Sequence, residues 1–210
     1  MKHIFLLGVG HATPFFIELA EACGYIVDGL YHYNDERTGE FDHGYSILGS
    51  FADMFKEGVR GRNYCLTMGN MAIKEQVSKR ILAEGGLLPT IIHPSASISR
   101  FAKISDCGVL ISNRCEIQAD VEIEEGCVLW SSCIVCHNTK MGQYVFCGPG
   151  SLIGAFTNLD SKAFVGQHSL IISGKVDSIG ESAIIGAGAV VTKSVDSGVV
   201  VAGNPAKRIR

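Results

Sequence analysis

The chain has 210 residues, of which 47% are apolar, 19% charged and 8% aromatic, with 25 Gly and 8 Cys. Low charge and abundant aliphatic residues exclude a disordered chain, and the length allows one large domain or two small ones with real cores. A formal net charge of −3 gives no pull toward nucleic acid or an anionic membrane surface.

The first apolar run, Ile4 to Val9, and the last, Val199 to Ala202, are far shorter than the ~20 residues of a membrane span. The opening does not read as a signal peptide, because its apolar stretch stops at Gly8-Val9-Gly10-His11. Eight cysteines in a chain of this length and opening read as free thiols in the cytoplasm. Cys133-Ile134-Val135-Cys136-His137 matches the letter of a c-type haem attachment site but lies inside the repeat described below. No second Cys pair has ligand spacing, so no metal is expected.

The first ninety residues alternate strand and helix. His3 to Leu7 reads as a strand, and after it Thr13 can cap a helix with Pro14 at its first position and Phe15, Phe16, Leu19, Ala20 and Cys23 as its buried stripe. Tyr25 to Tyr33 reads as a second strand. Ser50 to Glu57 reads as a short helix opened by a Ser50/Asp53 capping box, and Tyr64 to Met68 as a third strand. A helix follows Gly69-Asn70 and runs to about Ala83. This order predicts a small parallel sheet with ligands at the carboxyl ends of its strands.

From Ile92 onward the period changes to six. Stepping from Ile104 gives Leu110, then after one extra residue Ile117, Ile123, Leu129, Val135, Met141, Cys147, Ile153, Leu159, Val165 and Ile171; two more residues precede Ile179, Ile185 and Val191. Thirteen of these fifteen positions are Ile, Leu or Val, against about three or four from background usage. That is the pattern of a hexapeptide-repeat parallel β-helix of roughly five coils, with an aliphatic residue inward on each short strand and small residues at tight corners. Gly142, Gly148, Gly154, Gly166, Gly180 and Gly186 each follow an inward residue by one. Most of the cysteines then read as small buried hydrophobes.

The run Ile185-Gly186-Ala187-Gly188-Ala189-Val190-Val191-Thr192-Lys193, followed by Val201-Ala202-Gly203-Asn204-Pro205-Ala206-Lys207-Arg208, resembles the closing signature of left-handed β-helix acyltransferases. With Gly8-Val9-Gly10-His11, Gly69-Asn70 and Ile92-His93-Pro94-Ser95-Ala96, nearly the whole chain is similar to the bacterial sugar acyltransferases. These include the sialic acid O-acetyltransferase and the UDP-4-amino-sugar N-acetyltransferase. The resemblance implies a homotrimer with acetyl-CoA in the groove between neighbouring helices. It further implies a Rossmann-like nucleotide-sugar domain over residues 1–90 and a left-handed β-helix acyltransferase domain over residues 91–210.

By the same resemblance, His137 in Cys136-His137-Asn138-Thr139-Lys140-Met141-Gly142 is the catalytic base, with Asn138 where the family has Glu or Asp. A base is what thioester acyl transfer requires, and histidine suits the task; backbone N–H groups at the corners are the expected oxyanion donors. Phe146 stands where some members place a second His against acetyl-CoA. The other matching CoA positions are Ala155, Gly166, Gln167, Gly186, Ala187, Gly203, Pro205, Ala206, Lys207 and Arg208, the last two either pairing with phosphates or forming a solvated tail.

For the nucleotide-linked sugar, Gly8, Gly10 and His11 form a turn before a helix that suits phosphate or base contact through backbone N–H groups. Asn34 or Asp35 suits the base or ribose, and Gly69 with Asn70 closes the pocket; turn or helix-cap roles remain open for each. His168 is a rival base, and His43 and His93 read as loop residues. The expected activity is N-acetylation of a nucleotide-linked amino sugar. O-acetylation of sialic acid or a related sugar, a non-catalytic trimeric sugar-nucleotide binder, and a ping-pong route through Cys136 stand as alternatives.

Overall fold

A computed structural model of the chain describes residues 2–210, in two units that divide between Ile91 and Ile92. In the first, β1 (Lys2–Leu7), β2 (Tyr25–His32), β3 (Phe41–Asp42), β4 (Tyr45–Ser50) and β5 (Tyr64–Leu66) form one sheet in the order β3-β4-β2-β1-β5. β4, β2, β1 and β5 are parallel, and β3 returns antiparallel on β4. Helices α1 (Thr13–Ala22), α2 (Phe51–Glu57) and α3 (Met71–Ala83) link the strands. Buried Phe16, Ile17 and Leu19 of α1 each contribute roughly 1.5–3 kcal/mol by leaving water.

Several sequence expectations need correction here. Thr13 does not cap α1: the cap position is Ala12, with no side-chain bond, and Thr13 is already helical. Its Oγ1 instead accepts from the Gly10 N–H at 2.7 Å, closing the preceding loop. β2 stops at His32 and β5 at Leu66, short of Tyr33 and Met68. β3 and β4 were not expected, because only Ile47, Gly49 and Ser50 of β4 are buried and the alternation is weak. Their turn, His43-Gly44, has φ of 47° and 86°, the positive pair that a tight hairpin demands. The Ser50/Asp53 capping box is present as expected, and Asn70 caps α3 by accepting from the N–H groups of Ala72 and Ile73.

The second unit is a parallel β-helix with three walls of stacked two- and three-residue strands. The first wall includes Leu110–Ile111, Val128–Leu129, Phe146–Cys147, Phe164–Val165 and Ile184–Ile185. The second runs from Ser97–Ile98 through Glu116–Ile117, Ile134–Val135, Leu152–Ile153 and Leu170–Ile171 to Val190–Val191. The third runs from Lys103–Ile104 through Glu122–Ile123, Lys140–Met141 and Asn158–Leu159 to Ser178–Ile179. Successive coils pair parallel, and a final antiparallel pair, Val201 with Arg208 and Ala202 with Lys207, closes the stack.

The inward residue is the second of each strand, so the register places Ile111, not Leu110, inward beneath Leu129. The extra residue of that repeat therefore lies before Leu110, in the Ser105–Gly108 turn. Two positions before most of the inward residues lies a second buried one, among them Cys115, Cys127, Cys133, Thr139, Ser151, Thr157 and Ser169. Their polar atoms satisfy corner carbonyls: the thiols of Cys115, Cys127 and Cys133 donate to Trp130, Gly142 and Gly148 oxygens at 3.1 Å, as the Thr139 hydroxyl does to Gly154. Among the described residues all eight cysteines are free.

The glycines after the inward residues are needed for a different reason than a tight corner. A Cβ on Gly154 would lie 2.5 Å from the Ile171 oxygen and the Ser173 nitrogen of the next coil. The corner residues with left-handed backbone are mostly not glycine; they include Asp120, Ser132, Asn138, Tyr144, Phe156, Lys162 and His168.

Candidate functional site

His137 and Asn138 lie on the edge between the second and third walls, directly after the inward Val135 and the half-buried Cys136. Both side chains are exposed. Asn138 takes the left-handed corner conformation with φ 57°, which asparagine tolerates better than most residues. That places its Oδ1 2.9 Å from His137 Nδ1. Gln118, one coil below, accepts the His137 backbone N–H at 3.1 Å. Phe156, one coil above, stands perpendicular to the imidazole with ring centroids 5.2 Å apart.

An amide oxygen only accepts hydrogen bonds. With Asn138 Oδ1 on Nδ1, the neutral imidazole carries its proton there and Nε2 presents the lone pair. The arrangement performs the orienting task that a carboxylate would, without its charge. Cys136 beside it is half-buried, and its thiol is pushed up by burial and by the Glu116 carboxylate, which makes it a poor nucleophile.

The backbone N–H groups around His137 are already committed. His137 donates to Gln118, Asn138 to the Ala119 oxygen, Ala155 to Ser173 Oγ and Phe156 to the His137 oxygen. The expectation that corner N–H groups are oxyanion donors is not met at these four residues, because coil stacking uses them.

The CoA candidates occupy more than one edge. Ala155 shares the His137 edge. Gly166, Gln167, Gly186 and Ala187 line the edge between the first and second walls, where a Cβ on Gly166 would lie 2.7 Å from the Ala187 nitrogen. Gly203, Pro205 and Ala206 form the turn of the closing hairpin, and exposed Lys207 and Arg208 form its return strand. Phe146 is on the first wall, half-buried and stacked on Phe164 with centroids 4.6 Å apart and planes 4° from parallel. His168 is on the same edge as Gln167, its ring lying over Gly150, so within one chain it belongs to a different edge from His137.

In the first unit a cavity of about 370 Å³ lies at the carboxyl ends of β1 and β5 and the start of α1. It brings together Gly8, Gly10, His11 and Gly69, and adds Tyr33, Phe51, Thr67 and Ile73, which the sequence reading did not single out. Tyr33 and Ile73 expose apolar surface at 67% and 46%. Gly8, with φ 106°, packs its Cα against Thr67, whose hydroxyl donates to the Leu7 and Gly8 oxygens. The N–H groups of Gly8 and Gly10 are spent on the Tyr31 oxygen and Thr13 Oγ1, so phosphate contact through these two groups is not supported. Asn34, Asp35 and Asn70 do not line the cavity; Asn34 is half-buried and Asp35 exposed.

His43 sits in the β3–β4 turn against Asp42, and His93 Nδ1 accepts from the Ser95 N–H. Among the described residues no group of three His, Cys, Asp or Glu side chains could hold a metal ion, and no helix is long and apolar enough to cross a membrane.

No family model matches the chain. It is 29% identical over 187 residues to the GDP-perosamine N-acetyltransferase of Escherichia coli O157:H7, covering 86% of this chain and 82% of that one. It superposes with a TM-score of 0.88 and 25% identity on PerB from Caulobacter crescentus in complex with CoA and GDP-perosamine, over 100% of this chain and 98% of the other. The same score and identity relate it to the acetyltransferase domain of PglB from Neisseria gonorrhoeae in complex with acetyl coenzyme A, over 99% of both chains. The chain is an acyltransferase, similar over nearly its whole length to these acetyltransferases. In this acyltransferase Gln118 and Phe156 join His137 and Asn138 at one edge. Phe156 was traceable in principle, since it stands one coil, nineteen residues, beyond His137.

Proposed function

We propose that this acyltransferase moves the acetyl group of acetyl-CoA onto the amine of a nucleotide-linked amino sugar, with His137 as general base. The observation that carries the reading is the Asn138 Oδ1 contact to His137 Nδ1, which leaves Nε2 as the proton acceptor on an open edge. The amine nitrogen attacks the thioester carbonyl, Nε2 takes the nitrogen's proton, the C–N bond forms, and the C–S bond breaks. The departing sulfur takes the proton back from the imidazolium. The named GDP-perosamine N-acetyltransferase relative favours an amine over a hydroxyl acceptor. Two further solved variants of the Caulobacter enzyme, each with one histidine replaced, also hold CoA and GDP-perosamine; a His137 variant of this chain is expected likewise to keep its substrates.

The cavity around Gly8, Gly10, His11 and Gly69 is the proposed nucleotide-sugar site, with the opening of α1 supplying its positive dipole end. The assembly we propose is a homotrimer. The outward residues of the third wall are polar, Lys103, Glu122, Lys140, Asn158 and Ser178, and the charged ones pair through Glu122. Those of the second wall, after Ser97 and Glu116 in its first two coils, are Ile134, Leu152, Leu170 and Val190, and those of the first include Phe146, Phe164 and Ile184. Two apolar walls and one polar wall suit packing around a threefold axis. Such packing can bring the Gly166–Gln167 edge of one copy to the His137 edge of another. Free thiols throughout the core fit the cytoplasm.

The test is His137→Ala, assayed with acetyl-CoA and a nucleotide-linked amino sugar. kcat is expected to fall by on the order of 10²-fold or more while acetyl-CoA still raises the Tm. Near-normal turnover would overturn the assignment. Failure of acetyl-CoA to stabilise the wild-type chain would favour the non-catalytic reading.

A further inference from the structure

Phe156 is out of place by ordinary folding criteria. Its φ of 63° puts a bulky aromatic residue in the left-handed region, and its side chain is 63% exposed. The other left-handed corner residues of the β-helix each have an evident accommodation. Asp120, Ser132, Asn138, His168 and Ser182 are polar, Arg114 and Lys162 carry charged heads, and Tyr144 is 2% exposed, its ring filling the space over Gly126. Phe156 is neither buried nor polar. In its corner column it stands above Asn138 and below Gly174, where a Cβ would meet nothing within 4 Å, so the ring has open space above it. The neighbouring ring is the His137 imidazole, perpendicular at 5.2 Å, and the Phe156 N–H donates to the His137 oxygen at 3.3 Å. Backbone strain of this kind persists where surrounding structure and function demand it.

We infer that Phe156 is a positioning residue for acyl transfer: its ring, at right angles to the His137 imidazole, braces it while Asn138 holds Nδ1, so that the Nε2 edge keeps one orientation. A hydrogen bond at Nδ1 alone leaves the imidazole free to swing about the side-chain torsions, and an aromatic wall at right angles removes that freedom. The device resembles the orienting partners of other catalytic histidines, except that one partner is apolar. The inference rests on His137 being the base.

The experiment compares Phe156→Gly, Phe156→Asn and Phe156→Tyr with wild type and with His137→Ala, measuring kcat, the KM for acetyl-CoA, Tm and oligomeric state. Gly and Asn both accept the left-handed backbone, so their Tm is expected to stay within about 2 °C of wild type or to rise. Their kcat is expected to fall at least about tenfold with the acetyl-CoA KM within about twofold, and Phe156→Tyr to recover to within about threefold of wild type. A kcat within twofold of wild type in Phe156→Gly, with His137→Ala inactive, overturns the inference and leaves the base assignment standing. A parallel fall in Tm, or a changed oligomeric state, overturns it in favour of a structural role. Full turnover in His137→Ala overturns the base assignment and this inference together.

Discussion

Gly154→Ala tests the coil spacing that supports the site. Gly154 has ordinary backbone angles, yet its Cα faces the next coil so closely that an added Cβ would lie 2.5 Å from both the Ile171 oxygen and the Ser173 nitrogen. Ordinary contact begins near 3.4 Å, so the coils must part by about 0.9 Å, and the atoms in the way are backbone. The neighbouring Ala155 N–H to Ser173 Oγ bond, at 2.9 Å, would be stretched out of range, at about 1 kcal/mol. Overpacking adds about 1–3 kcal/mol, for a sum of about 2–4 kcal/mol. At about 2–4 °C per kcal/mol for a chain of this size, the Tm should drop by roughly 4–16 °C in a calorimetric scan. Ala155 and Phe156 follow directly, so kcat should fall as well. Gly174→Ala is the control: φ is 68° and nothing lies within 4 Å, so only the left-handed penalty of about 1–2 kcal/mol applies. A Gly154→Ala Tm within about 2 °C of wild type, or a larger loss in Gly174→Ala, would refute the claim that coil-to-coil contact requires this glycine.

Cys136→Ser should keep kcat within about twofold of wild type and mass spectrometry should find no acetyl adduct on Cys136, because burial and Glu116 hold its thiol protonated. Asp53, whose carboxyl is held below its usual value by hydrogen bonds from Ser50, should contribute to α2 stability above the unfolded carboxylate value near pH ~4. That contribution should be lost as pH falls through the lower folded value. Hydrogen exchange of α2 amides from neutral to acid pH checks this, and Ser50→Ala should weaken the dependence without abolishing it, since the backbone N–H of residue 50 still donates to Asp53, while costing about 1 kcal/mol.

The six-residue period from Ile117 to Val191 is legible because each inward residue must be apolar whatever surrounds it, and the capping box is legible because Ser50 and Asp53 touch across only three residues. The register error at Leu110 has the same origin in reverse. Leu110 and Ile111 are both aliphatic and both buried, and only pairing with Val128 and Leu129 decides which faces inward. β3 and β4 escaped notice for a similar reason, since β4 owes its strand state to pairing with β2 more than to its own alternation.

His137 and Asn138 are sequence neighbours, so their hydrogen bond could be anticipated from the motif alone. Phe156 and Gln118 reach His137 only because a coil closes after eighteen or nineteen residues, and Thr67 meets Gly8 only because β5 pairs with β1. By itself the sequence determines the periodicity and the class of fold, because these depend on spacing along the chain, and its resemblance to a known family singles out His137 as the candidate base. The tertiary structure decides which side chains stand against His137, which N–H groups are already spent and which residues wall the cavity, because those depend on distances between coils and strands that no local pattern encodes.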